Sequence, residues 1–141
     1  MAGRKIAKVA GLLVALLILA LVPVCDADWD FVGIRKGCEL PARICYSFCH
    51  TSLIHAAVNI WSWLSAIFIY DLSWQKLLVA YVAAVIVPDF LLDGTPTVGL
   101  STVCYALLGM IAFQTKDKIY YNICVAAYIL IGFFFPFVNA W

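Results

Sequence analysis

Five stretches of the chain run almost without polar interruption, at about 6–24, 47–70, 74–92, 98–114 and 119–138, with short polar segments between them. Each approaches the length of about 20 residues that carries a helix across a hydrocarbon core of about 30 Å. The run from Gly11 to Val24 stays apolar without the alternation expected of a barrel strand. A helix satisfies its own backbone hydrogen bonds inside lipid. The pattern therefore predicts an all-α, polytopic transmembrane bundle of about five helices, forming a single domain over 1–141.

Composition strengthens that picture. Of 141 residues, 66% are hydrophobic and 12% charged, against roughly a quarter charged in an ordinary soluble domain. A globule of this size could not hide so much apolar surface, so the lipid bilayer is the first partner implied. A net charge of +1 leaves no basic face able to neutralise a run of phosphates, which argues against nucleic acid. Arg4, Lys5, Lys8, Lys76, Lys116 and Lys118, six of the nine basic residues, fall on one side of the predicted topology. That side is expected to be cytoplasmic, with the N-terminus there and the 25–46 loop and the Asp93-Gly94-Thr95-Pro96-Thr97 turn opposite. The first segment also fits a cleaved secretory signal, but its run from Val9 to Val24 is long for one and no Ala-x-Ala site follows.

Cys25, Cys38, Cys45 and Cys49 fall in or near the outer loop. They either pair in an oxidising space or pack as small hydrophobic thiols. None of the six cysteines has paired Cys-x-x-Cys spacing, so no metal centre is expected. Pro88 and Asp89 kink or end the third helix, Pro136 marks the outer end of the fifth, and Trp29, Trp61, Trp63, Trp74 and Trp141 flank or enter helix ends.

Polar groups at membrane depth carry the functional information, because they are costly to keep there. His55 and Asn59 are spaced i, i+4 and project from one helix face about a turn apart. Ser101 follows Gly99-Leu100 in the first turn of the fourth helix, where backbone N–H groups lack intrahelical acceptors and can point at an anion. A hydroxyl there can attack a carbonyl while its own N–H, His55 and Asn59 hold the resulting oxyanion. The plainer reading makes Ser101 a helix-packing residue beside Gly99 and gives His55 and Asn59 a hydrogen bond to a neighbouring helix.

The surrounding text favours chemistry. Gly99-Leu100-Ser101-Thr102-Val103-Cys104-Tyr105-Ala106-Leu107-Leu108-Gly109 resembles the Gly-x-Ser-Gly nucleophile helix of the rhomboid intramembrane serine proteases. The block from Arg43 to Asn59, with His50 and then His55-x-x-x-Asn59, resembles that family's passage from first loop to second helix. The resemblance runs from about residue 29 to the C-terminus. It implies Ser101 as nucleophile, with His55, Asn59 and the Ser101 amide as the oxyanion hole. It also implies Tyr105 as the aromatic on which the family's catalytic histidine stacks, Arg43 as a structural arginine, and His50 as a brace for the loop. Ala42 stands where the family usually has tryptophan, and Thr102 replaces the last glycine of the motif, adding a branched side chain beside Ser101.

The general base is missing from this assignment. In rhomboids it is a histidine on a sixth helix, whereas this sequence holds only His50 and His55. A truncated rhomboid, a partner that supplies the last helix, and an inactive relative that binds membrane helices all fit, and the first is the leading expectation. The expected function is cleavage of transmembrane segments of other proteins by acyl transfer through Ser101, without metal or organic cofactor. The alternative is a non-catalytic binder of transmembrane helices or a membrane assembly subunit.

Overall fold

In the computed structural model, which describes residues 2–23 and 28–134, seven α-helices follow one another, and no strand forms among the described residues. The helices are α1 (Ala2–Leu21), α2 (Trp29–Val32), α3 (Leu40–Cys45), α4 (Leu53–Ile69), α5 (Trp74–Val85), α6 (Ser101–Ala112) and α7 (Lys118–Phe134), with 3₁₀ turns at Tyr46–Phe48 and Asp89–Leu91. The five expected helices correspond to α1, α4, α5, α6 and α7. The two additional short helices lie in the first loop, where hydropathy alone carries no helical signal.

The boundaries differ from the expected ones for local reasons. Helix α1 stops at Leu21, ahead of Pro23, rather than at 24. The expected 47–70 helix begins only at Leu53, because Ser52 caps it by accepting from the His55 amide at 3.1 Å. Helix α5 ends at Val85 instead of 92, just before Pro88, which has no N–H to donate. Helix α6 starts at Ser101 rather than 98, since Gly99 sits at φ +122°, outside any helical region. Cys25, Pro136 and Trp141, with the last part of the expected 119–138 span, lie outside the described residues.

Among the described residues, no single helix is both long and apolar enough to cross a membrane. Helix α1 has 20 residues but begins with Arg4, Lys5 and Lys8. Leu40–Phe48 and Leu53–Ile69 meet the requirement together, bent by 88° at the break between them.

Helix α6 is central, packed on α4, α5 and α7, while α1 lies across α4 and α5. The buried stripe of α1 is Ala7, Gly11, Ala15 and Ile18 at helical spacing, and the first three are small enough to let its backbone approach α4. Trp63 closes that contact by donating its indole N–H to the Gly11 carbonyl at 3.1 Å. With that face buried in the bundle, α1 is an integral part of the described fold. The core beneath it contains Ile18, Ile67, Leu72, Leu100, Leu107 and Ile111. The outside is also apolar: Leu16, Ile69, Val79, Ile86, Ile119 and Ile123 are all exposed.

At one end of the bundle, two residues past the end of α4, stands Asp71, a non-glycine residue in the left-handed region with φ 48°. Its carboxylate pairs with Arg4 at 2.6 Å and Lys8 at 3.0 Å. At the same end Lys76 donates to Gln114 at 2.5 Å. At the other end, the Ile34 and Thr97 backbones exchange hydrogen bonds of 2.8 and 3.0 Å, and the Lys36 amide donates to the Asp93 carbonyl at 2.7 Å. These bonds tie the first loop to the turn that leads into α6.

Candidate active site

The turn before α6 is held by two residues of the segment that precedes α4. The Gly99 amide donates to the Tyr46 carbonyl at 2.9 Å, and the Leu100 amide donates to Nε2 of His50 at 3.3 Å. His50 in turn meets His55 edge to face, with ring centroids 4.9 Å apart. His55 and Asn59, one turn apart on α4, both lie against Gly99. A Cβ built there would stand 2.8 Å from His55 Nε2 and 3.4 Å from Asn59 Nδ2. Only a residue without a side chain, free to take a positive φ, fits this approach.

Ser101 opens α6, which no side chain caps, so the first-turn N–H groups are left without a capping acceptor. The serine is 8% exposed, while His55 and Asn59 are each 1% exposed. Nδ2 of Asn59 has no hydrogen-bond partner among the described residues. A buried donor left in that state costs about 1–3 kcal/mol, so its retention calls for an explanation. Ser101 and Thr102 also line a cavity of about 120 Å³ together with Tyr46, Thr97, Leu91 and Asp93. That volume has room for several waters. His55 and Asn59 are not part of its lining, so they approach the start of α6 from another side.

The remaining expected residues fall around this centre. Tyr105, one turn beyond Ser101, packs its ring 5.5 Å from that of Tyr128 on α7. Arg43 lies in α3 and reaches the end of α5, donating to the carbonyls of Val87 at 2.6 Å and Val85 at 3.3 Å and pairing with Asp89. The break at Pro88 frees carbonyls that one guanidinium then collects. Cys38 and Cys45 carry free thiols. Among the described residues no three His, Cys, Asp or Glu side chains gather to hold a metal ion.

Two participants are not evident from the sequence. Tyr46 is fully buried, accepts from Gly99, donates its hydroxyl to the Ala84 carbonyl at 3.1 Å, and lines the Ser101 cavity. Tyr128 donates to Oδ1 of Asn59 at 3.2 Å. In so aromatic a sequence a tyrosine reads first as an interfacial anchor, and only the mid-helix position of the Tyr128 hydroxyl hints at a polar partner.

At the centre of the bundle a histidine and an asparagine converge on the glycine that precedes Ser101 by two residues. The Rhomboid domain family matches residues 38–141, well over half of the chain. The chain belongs to the rhomboid family, whose members are integral membrane proteins. Neither a curated protein nor a solved structure matches it.

Proposed function

We propose that this chain is a rhomboid-type serine endopeptidase that cleaves transmembrane segments of other membrane proteins. Ser101 is the nucleophile, and the Ser101 amide, His55 and Asn59 are the oxyanion donors. The observation that carries the reading is the convergence of His55 Nε2 and Asn59 Nδ2 on Gly99, two residues before a buried serine at an uncapped helix start. Thr51 Oγ1 lies 3.3 Å from His55 Nδ1. With that hydroxyl donating to Nδ1, the neutral imidazole carries its hydrogen on Nε2, the nitrogen nearest Gly99.

In this reaction Ser101 Oγ attacks the scissile carbonyl carbon, and the carbonyl oxygen becomes an oxyanion that accepts from the three donors. The hydroxyl proton passes to a base and then to the departing amine, leaving an acyl-serine that water hydrolyses. Neither histidine of this chain is disposed to be that base. His50 Nε2 accepts from Leu100, and His55 is assigned to the oxyanion. The base would come from a sixth helix, supplied by a partner or by further chain. The end bearing Arg4, Lys8 and Lys76 faces the cytoplasm and the Ser101 end faces outward, as the basic bias favours.

A fluorophosphonate applied to the protein in its native membrane should label Ser101, and Ser101→Ala should abolish the label. Absence of label on the wild-type protein would reject the enzyme reading. The engagement of both histidines favours a second reading, a rhomboid relative that binds transmembrane helices without cutting them. It predicts an unlabelled protein that still retains a transmembrane partner after crosslinking.

A further inference from the structure

Asn59 has two ends of nearly equal size. If its carboxamide turns over, Oδ1 replaces Nδ2 beside Gly99, and an acceptor faces the place where negative charge would develop. Something must select the orientation. Helix α4 itself offers no side-chain partner for Nδ2, which is unpartnered among the described residues. The contact that distinguishes the two ends comes from α7, where the Tyr128 hydroxyl lies 3.2 Å from Oδ1.

A phenolic hydroxyl both donates and accepts, so by itself it would tolerate either orientation. Ser62, about a turn beyond Asn59 on α4, lies near enough to Tyr128 to act on its hydroxyl. With Ser62 donating to the phenolic oxygen, the Tyr128 hydrogen is directed to Oδ1 and the amide N–H groups turn toward Gly99. The ring is held in turn by Tyr105, at 5.5 Å between centroids. The Tyr128–Asn59 bond thus links α7 to α4 beside the turn that leads into α6, in a bundle where α7 is otherwise attached chiefly along α6.

We propose that Tyr128 is a positioning residue for Asn59, holding its carboxamide with the N–H groups toward the Ser101 oxyanion. This role rests on the reading of Asn59 as an oxyanion donor, and the experiment separates the two. The full-length protein in membranes is titrated with a fluorophosphonate, and the maximal rate of labelling is resolved from the concentration giving half that rate. Asn59→Ala should lower the maximal rate by about a hundredfold, as loss of one oxyanion donor does. Tyr128→Phe keeps the ring against Tyr105 and should lower it about tenfold, with the half-maximal concentration and unfolding midpoint unchanged. In the Asn59→Ala background Tyr128→Phe should have no further effect, because both act through one carboxamide.

A wild-type rate for Tyr128→Phe, or a loss that multiplies fully with Asn59→Ala, overturns the positioning role while leaving the nucleophile in place. An unlabelled wild-type protein overturns the protease reading and this role with it. If Tyr128→Phe fails to fold, Ser62→Ala provides the same test. A smaller loss that disappears in the Asn59→Ala background supports the proposal, and a wild-type rate overturns it.

Discussion

Gly99 and His55 stand so close that one added methyl group on the glycine would lie 2.8 Å from the imidazole Nε2. Gly99→Ala therefore meets two obstacles, a φ of +122° that L-residues rarely adopt and a ring fixed in the core. Strain of this kind costs on the order of 1–3 kcal/mol. Thermal unfolding in detergent should show a loss of at least about 2 kcal/mol, together with reduced labelling of Ser101. Wild-type stability for this variant would mean that the turn is not built as described.

Arg43→Ala should detach the first loop from the end of α5, because three acceptors share that guanidinium: the carbonyls of Val85 and Val87 and the Asp89 carboxylate. Hydrogen bonds to a charged group contribute about 1.5–3 kcal/mol each, and a loss of about 2–3 kcal/mol is expected. Arg43→Lys should recover less than half of it, since an ammonium cannot fork between separate acceptors. Hydrogen exchange at Leu92 and Cys49, on the two sides of the contact, provides a local readout.

Gly11 offers a graded test of how α1 is docked. A Cβ there would come within 2.6 Å of Ile67 Cδ1, the movable tip of a flexible side chain. Gly11→Ala should be close to neutral, because about 1 kcal/mol of helix propensity offsets the small shift required. Gly11→Leu has nowhere to go, and it should open the Trp63–Gly11 bond and raise proteolysis of α1 in detergent.

Asp71 makes the docking of α1 dependent on pH. Its carboxyl is held below the usual carboxylate range, first by its hydrogen bond from Lys8 and then by the charges of Lys8 and Arg4. A group whose folded-state pKa is depressed stabilises the fold above its unfolded pKa, and that contribution fades as pH falls through the folded value. Protection of α1 from exchange should therefore be constant at neutral pH and decline on acidification below the ordinary carboxylate range. Asp71→Asn should show the weakened protection already at pH 7 and lose this part of the pH dependence. Both effects should be modest and sensitive to salt, because the pair is solvent-exposed.

The apolar runs determined by themselves that this chain is helical and belongs in a membrane, since no soluble packing could absorb a sequence that is 66% hydrophobic. The i, i+4 spacing of His55 and Asn59, and the position of Ser101 after a polar turn, were likewise legible, because helical period and helix-start chemistry are local properties. Hydropathy did not reveal where helices stop. Ser52, Pro88 and Gly99 set the ends of α4, α5 and α6 through a cap, a missing donor and a positive φ, none of which changes an average over many residues.

Only the tertiary structure decided what the polar groups meet. Leu100 N–H reaches His50, Arg43 collects the carbonyls at the end of α5, and Tyr128 finds Asn59 from a helix far along the chain. These contacts join segments that share no local sequence signal, and each depends on which faces of α4, α5, α6 and α7 turn toward one another. Side-chain packing settles that choice, because a buried polar atom takes whichever partner the packing brings within reach.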